Sequence, residues 1–176
     1  MKSVCYWSFL FLVSLDAWSQ SIEVEYDKKR DFTIYKTFRF GESQITTPAD
    51  QKQIKDEVLN RWIVQGITQE LEMKGLTKSD SSADLVVSYA EGTLARTDNQ
   101  ALGPLALTPG TNPDRNFRFE YRQSSLIIDL NDRNGNLIWR VNSTTNMTTA
   151  EAERTIDAVI ERGFKKFAKP HKKKKK

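Results

Sequence analysis

The stretch SLIIDLNDRNGNLIWRV, Ser125–Val141, reads as two strands and the turn that joins them. Asn134 and Gly135 adopt positive backbone angles easily, and Asp132 can bond amides within the turn, so DRNG predicts a tight antiparallel hairpin. Asp129 alternates with Ile128 and Leu130 and should face away from their side of the sheet. Trp139 falls in register with Leu137 and Val141, as a core aromatic set against a helix. The cluster of Asp, Asn and Arg in this stretch therefore reads as turn and solvated strand. The pairing of Asp129 with Asp132 as catalytic acid and base is the competing reading.

Working outward, FRFEYRQSSLIIDLN and NLIWRVNSTTNM are the two strands of that hairpin. Upstream, ADLVVSYAEG places Leu85, Val87 and Tyr89 on one face, which predicts a strand buried on most of its surface. Thr93 to Arg115 is rich in Gly, Pro, Asn and Thr with no sustained period and reads as a long loop. Near the start, SIEVEYDK alternates Ile22, Val24 and Tyr26 with acidic residues. IYKTFRFG alternates in the same way and ends at Gly41, so two strands joined by the charged DKKRDFT are expected.

Two helices complete the pattern. Thr47, Pro48 and Asp50 resemble an N-cap, a first-turn proline and an acidic first turn, which predicts a helix from Asp50 to Lys74. Its apolar stripe runs through Ile54, Val58, Trp62, Ile63, Ile67 and Leu71. Gly66 inside it costs about 1 kcal/mol relative to Ala, and a close approach of helix to sheet would explain it. Lys74 and Gly75 stop it. Thr148 with Glu151 fits a capping box for a second helix whose inner face is Ile156, Val159, Ile160, Phe164 and Phe167. The order predicts an α+β fold: a single two-layer domain, a mostly antiparallel sheet of about five strands with two helices packed on one face.

MKSVCYWSFLFLVSLDAWSQ has the charged start, apolar run and small residues of a signal peptide, cut after Ser19. About 12 apolar residues are too few to span a bilayer. The expected organisation is thus a leader at 1–19, one domain over 20–169 with a loop at 93–115, and a lysine-rich tail at 170–176. The single cysteine, Cys5, leaves with the leader, so the exported protein has no disulfide and relies on its core. The formal charge of +4 is a property of the tail. Removing Lys2 and Lys172–Lys176 from 27 basic residues leaves 21, and removing Asp16 from 23 acidic residues leaves 22, so the body is near −1. A nucleic-acid face is not expected.

The inventory excludes several chemistries. The one histidine, His171, sits in the tail, so His/Cys metal sites, Ser-His-acid triads and cysteine nucleophiles are ruled out in the exported domain. GPLALTPG lacks the spacing and the lysine of a phosphate loop. No catalytic residue, metal ligand or cofactor is predicted. The candidate binding residues are Tyr26, Tyr35, Tyr89 and Arg140, as contacts beside the sheet.

IEVEYD, FTIYKTFRF, the long helix ending KGL, ADLVVSY and the opening hairpin together resemble the bacterial envelope family called domain of unknown function 4136. The resemblance runs from Ile22 to Phe167. It implies a small exported α+β domain, often lipid-anchored in other members, with no established catalytic residues. No cysteine follows the apolar run here, so a lipid anchor is not expected. The leading functional expectation is a non-enzymatic periplasmic or membrane-peripheral protein that binds another envelope component: a protein, the cell wall or an anionic membrane surface. The alternative is a soluble carrier or carboxylate-dependent hydrolase with the 93–115 loop as its lid. A third reading has the lysine tail alone as an electrostatic tether.

Overall fold

The computed structural model describes residues 20–101 and 116–167, and of Gln20, 95–101 and 116–121 the backbone alone. The expected leader, with Cys5, and the lysine tail, with His171, lie outside the described residues. Six strands form one sheet: β1 (Gln20–Tyr26), β2 (Thr37–Ile45), β3 (Thr77–Lys78), β4 (Leu85–Ala101), β5 (Asn116–Asp132) and β6 (Leu137–Asn146). Their order is β1-β6-β5-β4-β2-β3, antiparallel except where β2 runs parallel to β3 and to β4. Two helices, α1 (Asp56–Met73) and α2 (Ala152–Phe164), pack together over one face. The fold is the expected α+β arrangement, with the two-residue β3 added to the expected strands.

The β5–β6 hairpin forms where DRNG predicts it. Asp132 Oδ1 accepts from the N–H groups of Asn134 and Asn136, each at 2.9 Å, and Gly135 takes φ +82°. An irregularity between Leu130 and Asn131 shifts the register beside the turn, so Leu137 is exposed while Ile138 is buried with Trp139 and Val141. Alternation beyond the shift is clean: Leu126, Ile128 and Leu130 point to the helices and Asp129 to the open face.

β1 and β2 are not neighbours. β1 pairs with β6, setting Val24 opposite Val141 and Tyr26 opposite Trp139. The charged connection carries the chain across the sheet to β2 because it holds two buried anchors, Phe32 and Tyr35. Phe32 lies edge-on to Trp139 with ring centroids 5.4 Å apart, inside a 3-10 turn over Phe32–Ile34. Ile34 is therefore exposed and outside any strand, and β2 starts at Thr37. It also continues past Gly41 to Ile45, through an irregularity between Phe40 and Ser43.

α1 begins at Asp56, later than the expected Asp50. Thr47 and Pro48 lead only into a 3-10 turn over Ala49–Gln51, since the Thr47 hydroxyl is engaged elsewhere: it accepts from the Thr93 N–H at 3.1 Å. The helix then buries Leu59, Ile63, Ile67 and Leu71, with Ile54 and Trp62 half-buried at the margin. At its end Gly75, φ +88°, donates to the Glu72 carbonyl and Leu76 to that of Leu71, the paired bonds that close a helix on a left-handed residue. Thr148 and Glu151 do meet, hydroxyl to carboxylate at 2.8 Å, but around a 3-10 turn that precedes α2. All five residues expected on the inner face of α2 and its extension are buried.

Gly66 answers to the other helix. A Cβ there would stand 2.8 Å from Ile160 Cδ1, whereas the close approach of helix to sheet is at Gly163, where a Cβ would meet Val141 Cγ1 at 2.7 Å and Cγ2 at 2.8 Å. Ile160 Cδ1 is the free end of a flexible chain, but Val141 is branched at Cβ and stiff. Gly163→Ala should thus lower stability by about 1–3 kcal/mol. Gly66→Ala should be close to neutral, because Ala gains about 1 kcal/mol of helix propensity against a small repacking cost. Urea unfolding followed by tryptophan fluorescence measures both.

Asp84 ties the starts of β2 and β4 to the hairpin turn. Its Oδ2 accepts from the N–H groups of Lys36 (2.8 Å) and Thr37 (3.0 Å), and its Oδ1 from Arg133 at 2.7 Å. The Lys36 amide foremost, then the Thr37 amide and hydroxyl and the Arg133 charge, hold this carboxyl below its ordinary value of 3.8 against a smaller effect of burial. Such a group contributes stability that is present above its unfolded pKa and lost as pH falls through its folded one. Asp84→Asn should be less stable than the native protein at neutral pH, with the gap closing below about pH 4. Burial pushes the Glu70 and Asp157 carboxyls up, which acts in the opposite direction, but they are common to both proteins and cancel in the difference. Urea midpoints across the acid range test it.

Candidate functional site

The four residues singled out in the sequence do not converge. Tyr26 stacks on Trp139 with centroids 4.3 Å apart, on the helix-covered face. Tyr35 is buried at the same end of the sheet, and burial, foremost, pushes its phenol up. Tyr89 is buried beneath α1, where its hydroxyl donates to Asn60 Oδ1; burial pushes this phenol up as well. Arg140 alone lies on the open face. Its Nε and Nη2 hold the two carboxylate oxygens of Asp129 at 2.7 and 2.6 Å, and these bonds raise the guanidinium pKa.

Nor do Asp129 and Asp132 form an acid–base pair. Asp129 is bound to Arg140 on the open face, while Asp132 is spent on the hairpin turn. The Asn136 side chain first, then the Asn136 and Asn134 amides and the charge of Arg30, keep the Asp132 carboxyl below its ordinary range. Among the described residues no group of three or more His, Cys, Asp or Glu is placed to hold a metal ion. No helix among them is long and apolar enough to cross a membrane.

The expected loop at 93–115 is, over its first part, strand. β4 runs on to Ala101 and pairs with β5 from Ala95↔Arg122 to Ala101↔Asn116. Residues 102–115 lie outside the described residues. β2 leaves β4 at Glu91, and β6 leaves β5 at Gln123, so beyond these points β4 and β5 form a two-stranded ribbon with no third strand among the described residues. The sequence pattern showed one arm of it, since FRFEYR alternates Phe117, Phe119 and Tyr121 with charged residues, whereas residues 95–101 carry no such alternation.

The base of the ribbon is a polar layer inside the fold. Glu91 is 1% exposed. Its Oε1 accepts from the hydroxyls of Thr93 (2.7 Å) and Ser124 (3.0 Å), and its Oε2 lies 3.5 Å from that of Thr47. Arg122, on the same side of β5 two residues further along, donates instead to the Gln51 carbonyl at 2.5 Å. Beside the layer is a cavity of about 20 Å³ lined by Thr47, Thr93, Arg122, Thr148 and Thr149 among others. The sequence did carry a signal for this layer. Glu91 continues the inward series Leu85, Val87, Tyr89, and Ser124 precedes the inward Leu126 and Ile128 in the same phase.

Comparison with known proteins agrees with this architecture. A family model described as domain of unknown function (DUF4136) matches residues 22–167. The fold is similar to that of the PelC dodecamer from Paraburkholderia phytofirmans, with TM-score 0.52 and 10% identity over 86% of this chain and 99% of that one. A DUF4136 family protein from Bacteroides thetaiotaomicron gives TM-score 0.48 and 14% identity over 83% and 94%. A PDZ domain protein from Parabacteroides distasonis gives 0.49 and 17% over 91% and 38%. No curated protein matches the sequence.

Proposed function

Since this chain belongs to the DUF4136 family, we propose that it is a non-enzymatic protein of the bacterial envelope, exported through its 1–19 leader, that binds another envelope component through the β4–β5 ribbon. The observation that carries this reading is the ribbon itself. An isolated two-stranded hairpin is marginal in water, and among the described residues no further strand pairs with the ribbon beyond Arg122, so its edges offer N–H and C=O groups to a partner. Seven residue pairs extend past the last support from β6. A strand or surface laid along such an edge gains main-chain hydrogen bonds at once. Other copies of the same chain are among the components the ribbon could engage, as the PelC protein of similar fold is a dodecamer.

The test is co-sedimentation of the chain 20–176 with isolated membranes and cell-wall sacculi, at low and high salt. A second protein has 96–121 replaced by Asn-Gly, which closes β4 on β5 with a two-residue turn at the Ala95–Arg122 pair. Binding by the native chain at both salt levels, lost in the shortened one while its circular dichroism keeps the remaining sheet and helices, is the expected outcome. Equal binding by both would remove the ribbon from the reading. Binding that vanishes in high salt and on deleting Lys172–Lys176 would assign the attachment to the lysine tail, since such contacts are screened over about 8 Å at physiological ionic strength.

A further inference from the structure

The sheet is apolar along its helix-covered face until it reaches the ribbon, and there it turns polar: Thr47, Glu91, Thr93, Ser124, Ser143 and Thr145 are each more than nine-tenths buried. At the centre is a carboxylate whose side-chain partners among the described residues are neutral. Thr93, Ser124 and Thr47 approach its oxygens at 2.7, 3.0 and 3.5 Å, and Glu91 makes no ion pair among the described residues. Burying a carboxylate away from water is costly unless an opposite charge accompanies it. Each hydroxyl has one hydrogen to give and keeps lone pairs beyond it. The cluster thus gathers two carboxylate and three hydroxyl oxygens from three separate segments, an all-oxygen donor set of the kind that suits hard cations. With a single negative charge it matches a monovalent ion better than a divalent one, which draws on more carboxylates. The adjoining cavity of about 20 Å³, bounded by Thr47 and Thr93, has room for one water as a further ligand.

We propose that the Glu91 carboxylate and the hydroxyls of Thr47, Thr93 and Ser124 bind a monovalent cation of the sodium class at the base of the ribbon. The ion would join β4, β5 and the connection after β2 at the point where the ribbon leaves the body of the sheet. It supplies charge to a layer in which no cation among the described residues pairs with Glu91, Arg122 being held on the Gln51 carbonyl.

Thermal unfolding of the chain 20–176 in sodium chloride and in choline chloride at matched ionic strength tests the site. The expected result is a higher midpoint in sodium, rising with the logarithm of its concentration. Glu91→Gln and Ser124→Ala should each lose most of that increment, and sodium NMR line broadening by the native protein should be lost with it. Should Glu91→Gln fail to fold, Ser124→Ala still removes a ligand oxygen and leaves the charge in place. Equal midpoints in the two salts, or a full sodium increment in Ser124→Ala, would overturn the assignment.

Discussion

The indole of Trp139 is the point on which the two layers depend. It is fully buried, its N–H donates to the Gly163 carbonyl at 3.2 Å, and it touches Tyr26 face to face and Phe32 and Phe167 edge-on. One side chain on β6 thereby holds the first strand, the long connection after it, the second helix and Phe167 just beyond that helix's end. Offset and edge-on aromatic contacts are worth about 0.5–1.5 kcal/mol each beyond the area they bury. The hydrogen bond depends on Gly163, which lets α2 come down onto Val141; a Cβ there would collide with both of its methyl groups. The aromatic cluster and the glycine are one arrangement.

With both helices on that face, the other face of the sheet mixes charged and polar side chains with Val86, Ala90 and the exposed Ile127. Arg140 and Asp129 meet there across adjacent strands, with the geometry of a two-pronged ion pair. As partly exposed groups they add little to stability, about 0–1 kcal/mol for such a pair, and their effect is to keep that face wet and in register. What extends beyond the covered sheet is the ribbon, whose backbone pairing is regular and which, among the described residues, is flanked by further strands at its base alone.

That base is where the fold departs from an ordinary apolar core. The hydroxyl layer around Glu91 fills the space that Leu or Val occupies one or two rungs away, and it also explains the late start of α1. Thr47 is drawn into the layer to serve Thr93 and Glu91 and cannot cap the helix, so the chain turns once, runs extended and begins its helix at Asp56.

Much of the architecture was legible in local pattern. The hairpin turn, the inward phase of β4, the apolar stripes of both helices and the glycine stop of α1 each follow from a short stretch whose period or turn chemistry has one low-energy solution, and the resemblance to the DUF4136 family rested on the same stretches. Which strands lie side by side was not legible, because β1 reaches β6 through contacts more than a hundred residues away in the chain, and the charged connection between the first two strands crosses the sheet on the strength of Phe32 and Tyr35. Gly66 announced a close approach without saying that the neighbour was a helix. Glu91 showed its inward phase in the sequence and Thr93 continues it on the same strand, but Thr47 and Ser124 reach it from segments brought together by the packed sheet, and of the ribbon's two arms FRFEYR showed alternation while residues 95–101 did not. Local order follows from local chemistry; the polar layer and the ribbon are properties of pairings that cost chain entropy to form and are stabilised only once the whole sheet is in place.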